Sequence, residues 1–293
     1  MPASNRQCSR EFRFPGGPTV NRMGFGAMRV CGPGVWGMPE DPDAARALLR
    51  RVVELGITFI DTADAYGPGT SEQLIAEALH PYPRDLVIAT KGGLERPADR
   101  SWQRDCRPAR LREACEASLR RLKIDRIDLY QLHAPDQRVP FVEQVHALAQ
   151  LQDEGKIAMV GLSNVSVAQL RLALDIVPIV SVQNRFNFTD LGHVDVLAEC
   201  ERLGIAFLPW YPLATGDLTA DGSALADVAR ELQATPGQIA LAWLLHLSPV
   251  VIPIPGTSKR AHLEENVAAA DLELGEQHMR RLGRLINGRI VTG

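Results

Sequence analysis

Four apolar runs in this chain each end on residues able to do polar or acid–base chemistry. ITFI ends on Asp61, LVIAT on Lys91, LYQL on His133, and VGL on Ser163 and Asn164. A tyrosine, Tyr66, stands five residues beyond Asp61 in the loop DTADAYG. Singly, each has an ordinary structural use: an aspartate at a strand end forms a turn, and a lone histidine sits satisfied in a core. Lys91 is the exception, because a lysine following the buried-type run LVIAT cannot easily reach water. Together the residue types define a chemistry. A tyrosine, with an ordinary pKa of about 10, is a poor acid near neutrality. A neighbouring ammonium favours its phenolate and lowers that pKa, and a carboxylate keeps the ammonium charged and in place. A histidine beside them can orient a carbonyl oxygen or relay a proton. Such a set suits carbonyl reduction, in which a cofactor brings the hydride.

These residues need a scaffold that gathers strand ends. From about residue 42 the pattern alternates helix and short apolar strand to the end of the chain. Helices are expected over Asp43 to Leu55, from Thr70 through SEQLIAEAL, over Arg107 to Leu122, Phe141 to Glu154, Ser166 to Asp175 and Val194 to Arg202. Others fall within 223–247, from Lys259 to Ala270 and near Glu276 to Leu285. Thr70 with Gln73 reads as a capping box. The strands between them are ITFID, DLVIATK, IDLYQLH, IAMVGLSN, IVSVQN, IAFLPWY and VVIPIPG. An eighth, within Val20 to Met28, completes the set. Strands alternating with helices argue for an α/β parallel sheet, and an unbroken repeat favours closure into a (β/α)8 TIM barrel. The stretch Phe12 to Thr19, centred on PGGP, reads as an N-terminal β-hairpin closing the floor, and the last helices are C-terminal additions. Residues 1–293 are expected to form a single domain, with its site at the C-terminal strand ends.

The sequence resembles the aldo-keto reductase family. FIDTADAYGPGTSEQLIAEAL, LVIATKGG, IDLYQLHAPD, GKIAMVGLSN, VQNRFN, LPWYPLATG and IPIPGTSKRAHLEEN carry the likeness in order over roughly residues 20 to 275. The resemblance implies a catalytic tetrad of Asp61, Tyr66, Lys91 and His133, with Tyr66 as general acid. It implies that Ser163, Asn164 and Gln183 hold a nicotinamide carboxamide, with Trp210 stacked on the ring where the family usually places a tyrosine or another aromatic. Leu213 and Gly216 would lie along the diphosphate. Gly256, Thr257, Ser258, Lys259, Glu265 and Asn266 would surround the adenosine end. GTSKR opens a helix, and a helix N-terminus with two cations is an anion site. This favours NADPH; NADH stays possible because His262 stands where family members often carry arginine. The stretches GAMRVCGPGVWG and ATPGQIALAWLL look most like bacterial pyridoxal reductase-type members, which makes pyridoxal a candidate substrate among small aldehydes. The alternative is a cofactor-binding regulatory subunit resembling potassium-channel β subunits, against which the complete tetrad speaks.

The remaining signals exclude more than they add. The formal net charge of −3 gives no electrostatic case for nucleic acid, and no apolar run approaches the roughly 20 residues that span a bilayer. A polar opening segment and five scattered cysteines without a CxxC pair read as a cytoplasmic protein with reduced thiols. The seven histidines form no metal-ligand spacing, so no metal is expected. MGFGAMR lacks the third glycine of a dinucleotide fingerprint. Trp36 in GPGVWGMPE and Trp102 in ADRSWQRD are candidate substrate-wall residues. The partner expected is a small-molecule carbonyl compound; the oligomeric state is left open.

Overall fold

The computed structural model describes residues 10–214 and 224–283. Its first elements, β1 (Glu11–Arg13) and β2 (Thr19–Asn21), pair antiparallel with Phe12 opposite Val20. Gly16 makes the turn between them at φ +64°, a conformation that costs glycine little. Phe12, Phe14 and Val20 are buried in the main core, so the hairpin is the expected floor.

A sheet of seven parallel strands follows. They are β3 (Phe25–Gly26), β4 (Phe59–Asp61), β5 (Val87–Gly92), β8 (Ile127–Leu132), β9 (Ile157–Ser163), β10 (Ile179–Gln183) and β11 (Ala206–Phe207), paired in that order. Between β5 and β8 lies a separate antiparallel hairpin, β6 (Leu94–Glu95) and β7 (Gln103–Arg104), in a stretch that reads as loop in the sequence. The sheet strands are buried almost throughout, which is why they read as apolar runs rather than alternating ones.

The helices are α1 (Pro42–Glu54), α2 (Thr70–Leu79), α3 (Pro108–Leu122), α4 (Phe141–Asp153), α5 (Val167–Leu174) and α6 (Val194–Leu203). α7 (Ala224–Glu231), α8 (Pro236–Leu247), α9 (Arg260–Ala268) and α10 (Glu276–Gly283) complete the set. Their starts follow local chemistry. Asp41 accepts from the Ala44 N–H ahead of α1, and Ser166–Gln169 and Thr235–Gln238 form capping boxes for α5 and α8. The box expected at Thr70 is not made. Thr70 is already helical, its hydroxyl donates back to the Gly67 carbonyl, and Gly69 at φ +78° caps the helix. The threonine serves the tight turn that follows Tyr66.

The run VVIPIPG forms no strand. Val251 makes an isolated bridge to Phe207, with Phe207 donating to Val250 and Ile252 donating to Phe207, each at 2.9 Å. On the other side Gly24 donates to Pro253 at 2.9 Å and Gly26 to Pro255 at 3.3 Å. The prolines accept but have no N–H to return, so a regular ladder cannot form. The ring still closes, through an irregular eighth stave. Arg22, 2% exposed, ties it down: Nε donates to Val251 O, and Nη2 to Leu245 O and Ser248 O at the end of α8. A Cβ on Gly26 would lie 2.6 Å from the Ile254 carbonyl, and one on Gly256 2.5 Å from that of Gly26. The two staves touch backbone to backbone. Among the described residues no helix is long and apolar enough to cross a membrane.

Candidate active site

Adjacent strands deliver the polar residues to one mouth. Asp61 ends β4, Lys91 stands near the end of β5, His133 follows β8, Ser163 ends β9 and Gln183 ends β10. Tyr66 comes from the turn after β4, buried against Cys31 and Ala63.

Lys91 Nζ donates to Asp61 Oδ2 at 2.7 Å and to the Thr62 carbonyl at 2.8 Å, with its side chain fully buried. The other Asp61 oxygen accepts from Gln131 Nε2 at 3.1 Å and Gln183 Nε2 at 2.8 Å. Lys91 Nζ stands 5.2 Å from the centre of the Tyr66 ring. The rings of Tyr66 and His133 meet edge to face at 5.8 Å, and Trp102 approaches each of them at 6.5 Å. Gln131 escapes the sequence reading. Its signal was one polar residue inside the apolar strand IDLYQL.

The electrostatics follow from burial beside an ion pair. Burial, reinforced by the Lys91 charge, holds His133 well below the ordinary histidine value, so its imidazole is neutral. Its Nδ1 is buried without a hydrogen-bond partner among the described residues. Lys91 is opposed by burial, yet the Asp61 carboxylate and Tyr66 more than offset that and raise it. The expectation of a lowered tyrosine pKa is not met. Burial raises Tyr66 above its ordinary value, and the pull of Lys91 the other way does not overcome it.

A cavity of about 480 Å³ opens above these groups, lined by Tyr66, His133 and Trp102 on one side and Ser163, Gln183 and Trp210 on another. Asn164, at φ +59°, fixes the second wall. Its Nδ2 donates to the His133 carbonyl at 2.9 Å and to Ser163 Oγ at 3.0 Å, while its Oδ1 accepts from Trp210 Nε1 at 3.0 Å. With those bonds made, the Ser163 hydroxyl proton and Gln183 Oε1 remain to serve a ligand. One donor and one acceptor beside the flat indole of Trp210 complement a carboxamide on a planar ring, so the residues fit a nicotinamide.

The other expected cofactor residues are spread along the seam and α9. Leu213 and Gly256 line the cavity; Gly216 lies outside the described residues. Thr257, Ser258, Lys259, Glu265 and Asn266 lie beyond the cavity wall. Thr257 is buried and its Oγ1 accepts from the Lys259 N–H at 3.0 Å, and α9 starts without a side-chain cap. Ser258 and Lys259 are exposed, whereas Arg260 donates to Glu264 at 3.0 Å along the helix. Glu265 accepts from the Thr235 hydroxyl and Asn266 is buried. Of the two expected wall tryptophans, Trp102 lines the cavity and Trp36 does not. Trp36 packs behind the guanidinium of Arg96, at 5.6 Å.

A barrel with this constellation at its strand ends has known counterparts. The sequence profile of the Aldo/keto reductase family matches residues 22–287, and the chain belongs to that family. It is an NAD(P)H-dependent oxidoreductase. An uncharacterized oxidoreductase of Schizosaccharomyces pombe is 50% identical, the match covering 91% of this chain and 87% of that protein. Pyridoxine 4-dehydrogenase of Escherichia coli is 44% identical over 89% of this chain and 93% of its own length. The structure of an aldo/keto reductase from Klebsiella pneumoniae, in complex with NADP and acetate, superimposes with a TM-score of 0.79 at 28% identity. That match covers 94% of this chain and 95% of the Klebsiella chain.

Proposed function

We propose that this protein reduces an aldehyde or ketone to the alcohol at the expense of NADPH, with Tyr66 as the general acid. The observation that carries the reading is the buried line Asp61–Lys91–Tyr66 ending beside a neutral His133. Ser163, Gln183 and Trp210 would hold the nicotinamide, which when bound would supply the hydride for the carbonyl carbon. The chain's own groups manage the oxygen. Tyr66 gives its proton to that oxygen as negative charge develops there. Lys91, 5.2 Å from the ring centre, meets the phenolate that remains. Asp61 keeps Lys91 charged, and the amides of Gln131 and Gln183 hold Asp61 in position. Neutral His133 can hydrogen-bond to the carbonyl oxygen without adding a second full positive charge beside Lys91.

Pyridoxal is the candidate substrate, supported by 44% identity to a pyridoxine 4-dehydrogenase over most of both chains. Preference for NADPH is supported by the exposed Lys259 at the start of α9 and by the NADP held in the Klebsiella structure. Residues 1–293 act as one barrel domain in this reading. The test is NADPH oxidation against a panel of aldehydes including pyridoxal, repeated with NADH and with Tyr66→Phe. Turnover of at least one aldehyde is expected, lost in Tyr66→Phe while NADPH still binds. Unchanged turnover in that variant would remove Tyr66 as the acid. Cofactor binding without reduction of any aldehyde would favour a regulatory subunit.

A further inference from the structure

Arg96, in the segment between β6 and β7, is 8% exposed, and no carboxylate among the described residues pairs with it. Its guanidinium instead collects backbone carbonyls. Nε donates to Arg100 O at 3.2 Å, Nη2 to Gly34 O at 3.0 Å and Nη1 to Val35 O at 3.4 Å. All three acceptors belong to residues in the left-handed region, Gly34 at φ +69°, Val35 at φ +58° and Arg100 at φ +63°. For a β-branched valine that conformation is a genuine outlier, which persists only where its surroundings over-determine it. The guanidinium carbon lies 4.0 Å from the centre of the Trp102 ring and 5.6 Å from that of Trp36. One side chain thus joins the loop after β3 to the hairpin after β5, with an indole against it from each.

We infer that Arg96 is a specificity-determining positioning residue, which sets Trp102 as a flat cavity wall and biases the site toward planar aromatic carbonyl compounds over aliphatic ones. The inference rests on the carbonyl reduction proposed above and names its substrate class. The Trp102 ring is held from one direction by Arg96 and edge-on by Tyr66 and His133, yet the residue stays 47% exposed and lines the cavity. The indole surface left over is flat, and it adjoins the two groups assigned to the carbonyl oxygen. An aromatic ring gains stacking against it; an alkyl chain gains only ordinary apolar contact. Trp36 then acts through Arg96 and not on the substrate.

The experiment compares kcat/KM for a benzaldehyde and for hexanal, with NADPH, in the wild type, Arg96→Met and Arg96→Lys. In Arg96→Met the aromatic substrate should lose about tenfold, chiefly through KM, and hexanal less than about threefold. Arg96→Lys should lie between wild type and Arg96→Met. In a Trp36→Phe background, which removes the other indole against Arg96, tryptophan emission should shift on Arg96→Met but not when Trp102→Phe is also present. Equal losses for both aldehydes, or none, would overturn the inference. So would an unchanged emission spectrum. If Arg96→Met does not fold, Trp36→Leu loosens the same stack from its other side and must shift the same ratio. If the wild type reduces neither aldehyde, the aromatic preference falls, whereas the reaction itself stands or falls on the aldehyde panel above; the emission comparison still decides whether Arg96 sets Trp102.

Discussion

Asp61 Oδ2 and Lys91 Nζ lie 2.7 Å apart on neighbouring strands, and neither side chain reaches solvent to any useful degree. Removing one partner strands the other charge. Lys91→Met leaves the Asp61 carboxylate with only the amides of Gln131 and Gln183, and should cost about 3–5 kcal/mol of stability in urea unfolding. It also removes the cation beside Tyr66, so kcat should fall at least about a hundredfold. A Lys91→Met protein as stable and active as the wild type would contradict both the pairing and its use.

The direction of the Tyr66 shift sets a pH profile. An acid raised above about 10 stays protonated across the neutral range. With NADPH and an aldehyde, kcat should be flat from about pH 6 to 9 and fall only in strong alkali. Oxidation of the alcohol needs the phenolate as base and should climb with pH over the same range. A reduction rate that falls through neutrality would show that another group, or a much more acidic tyrosine, gives the proton.

Asp64 stands two residues before Tyr66, 8% exposed, with Oδ1 lacking a hydrogen-bond partner among the described residues. Its carbonyl accepts from Gly69, and its N–H donates to the Lys91 carbonyl. Burial first, and then the charge of Glu72, raise its carboxyl to about 8, against the pull of Arg121 and Arg110 on α3. Buried Tyr130 on β8 faces the same group. The unfolded chain releases this proton near pH 4 and the folded chain only near 8. The group's favourable contribution is therefore complete below pH 4, is lost as pH rises to 8, and stays lost above it. Relative to Asp64→Asn, the wild type should fall behind progressively across that window, by on the order of a few kcal/mol at pH 9. Urea unfolding at pH 5, 7 and 9 measures it; a gap independent of pH would rule it out.

Arg22 has a different task. Arg22→Met removes its bonds to Leu245, Ser248 and Val251, leaving buried carbonyls at the end of α8 and in the eighth stave. A loss of roughly 2–4 kcal/mol is expected in unfolding experiments. NADPH affinity should drop with it, because the same stave carries Gly256 on the cavity wall. Unchanged affinity would uncouple the stave from the cofactor site.

Much of this was legible in the sequence because buried parallel strands announce themselves as apolar runs, and each functional residue interrupts one where it leaves the sheet. Asp61, Lys91, His133 and Ser163 were found that way. Gln131 was missed because it lies inside its run, where one polar residue also suits an ordinary core. VVIPIPG looks like a strand by composition, but Pro253 and Pro255 cannot donate, and the stave is tied down instead by Arg22, some 229 residues from Val251 along the chain. Trp36 and Trp102 looked alike in sequence. What separates them is Arg96, whose contacts depend on two loop conformations that no local pattern encodes. The net tyrosine shift differs from the sequence expectation for a related reason: spacing reveals the ammonium but not the depth of burial.

The join between the first and last staves is also a mechanical element of the barrel. Gly26 and Gly256 press backbone to backbone across it, and both also face the cavity. Whatever fills that cavity grips both lips of the barrel's final suture, formed by segments that must find one another from opposite ends of the chain. A ligand there works as a rivet, and part of its binding free energy appears as resistance of the whole barrel to springing open.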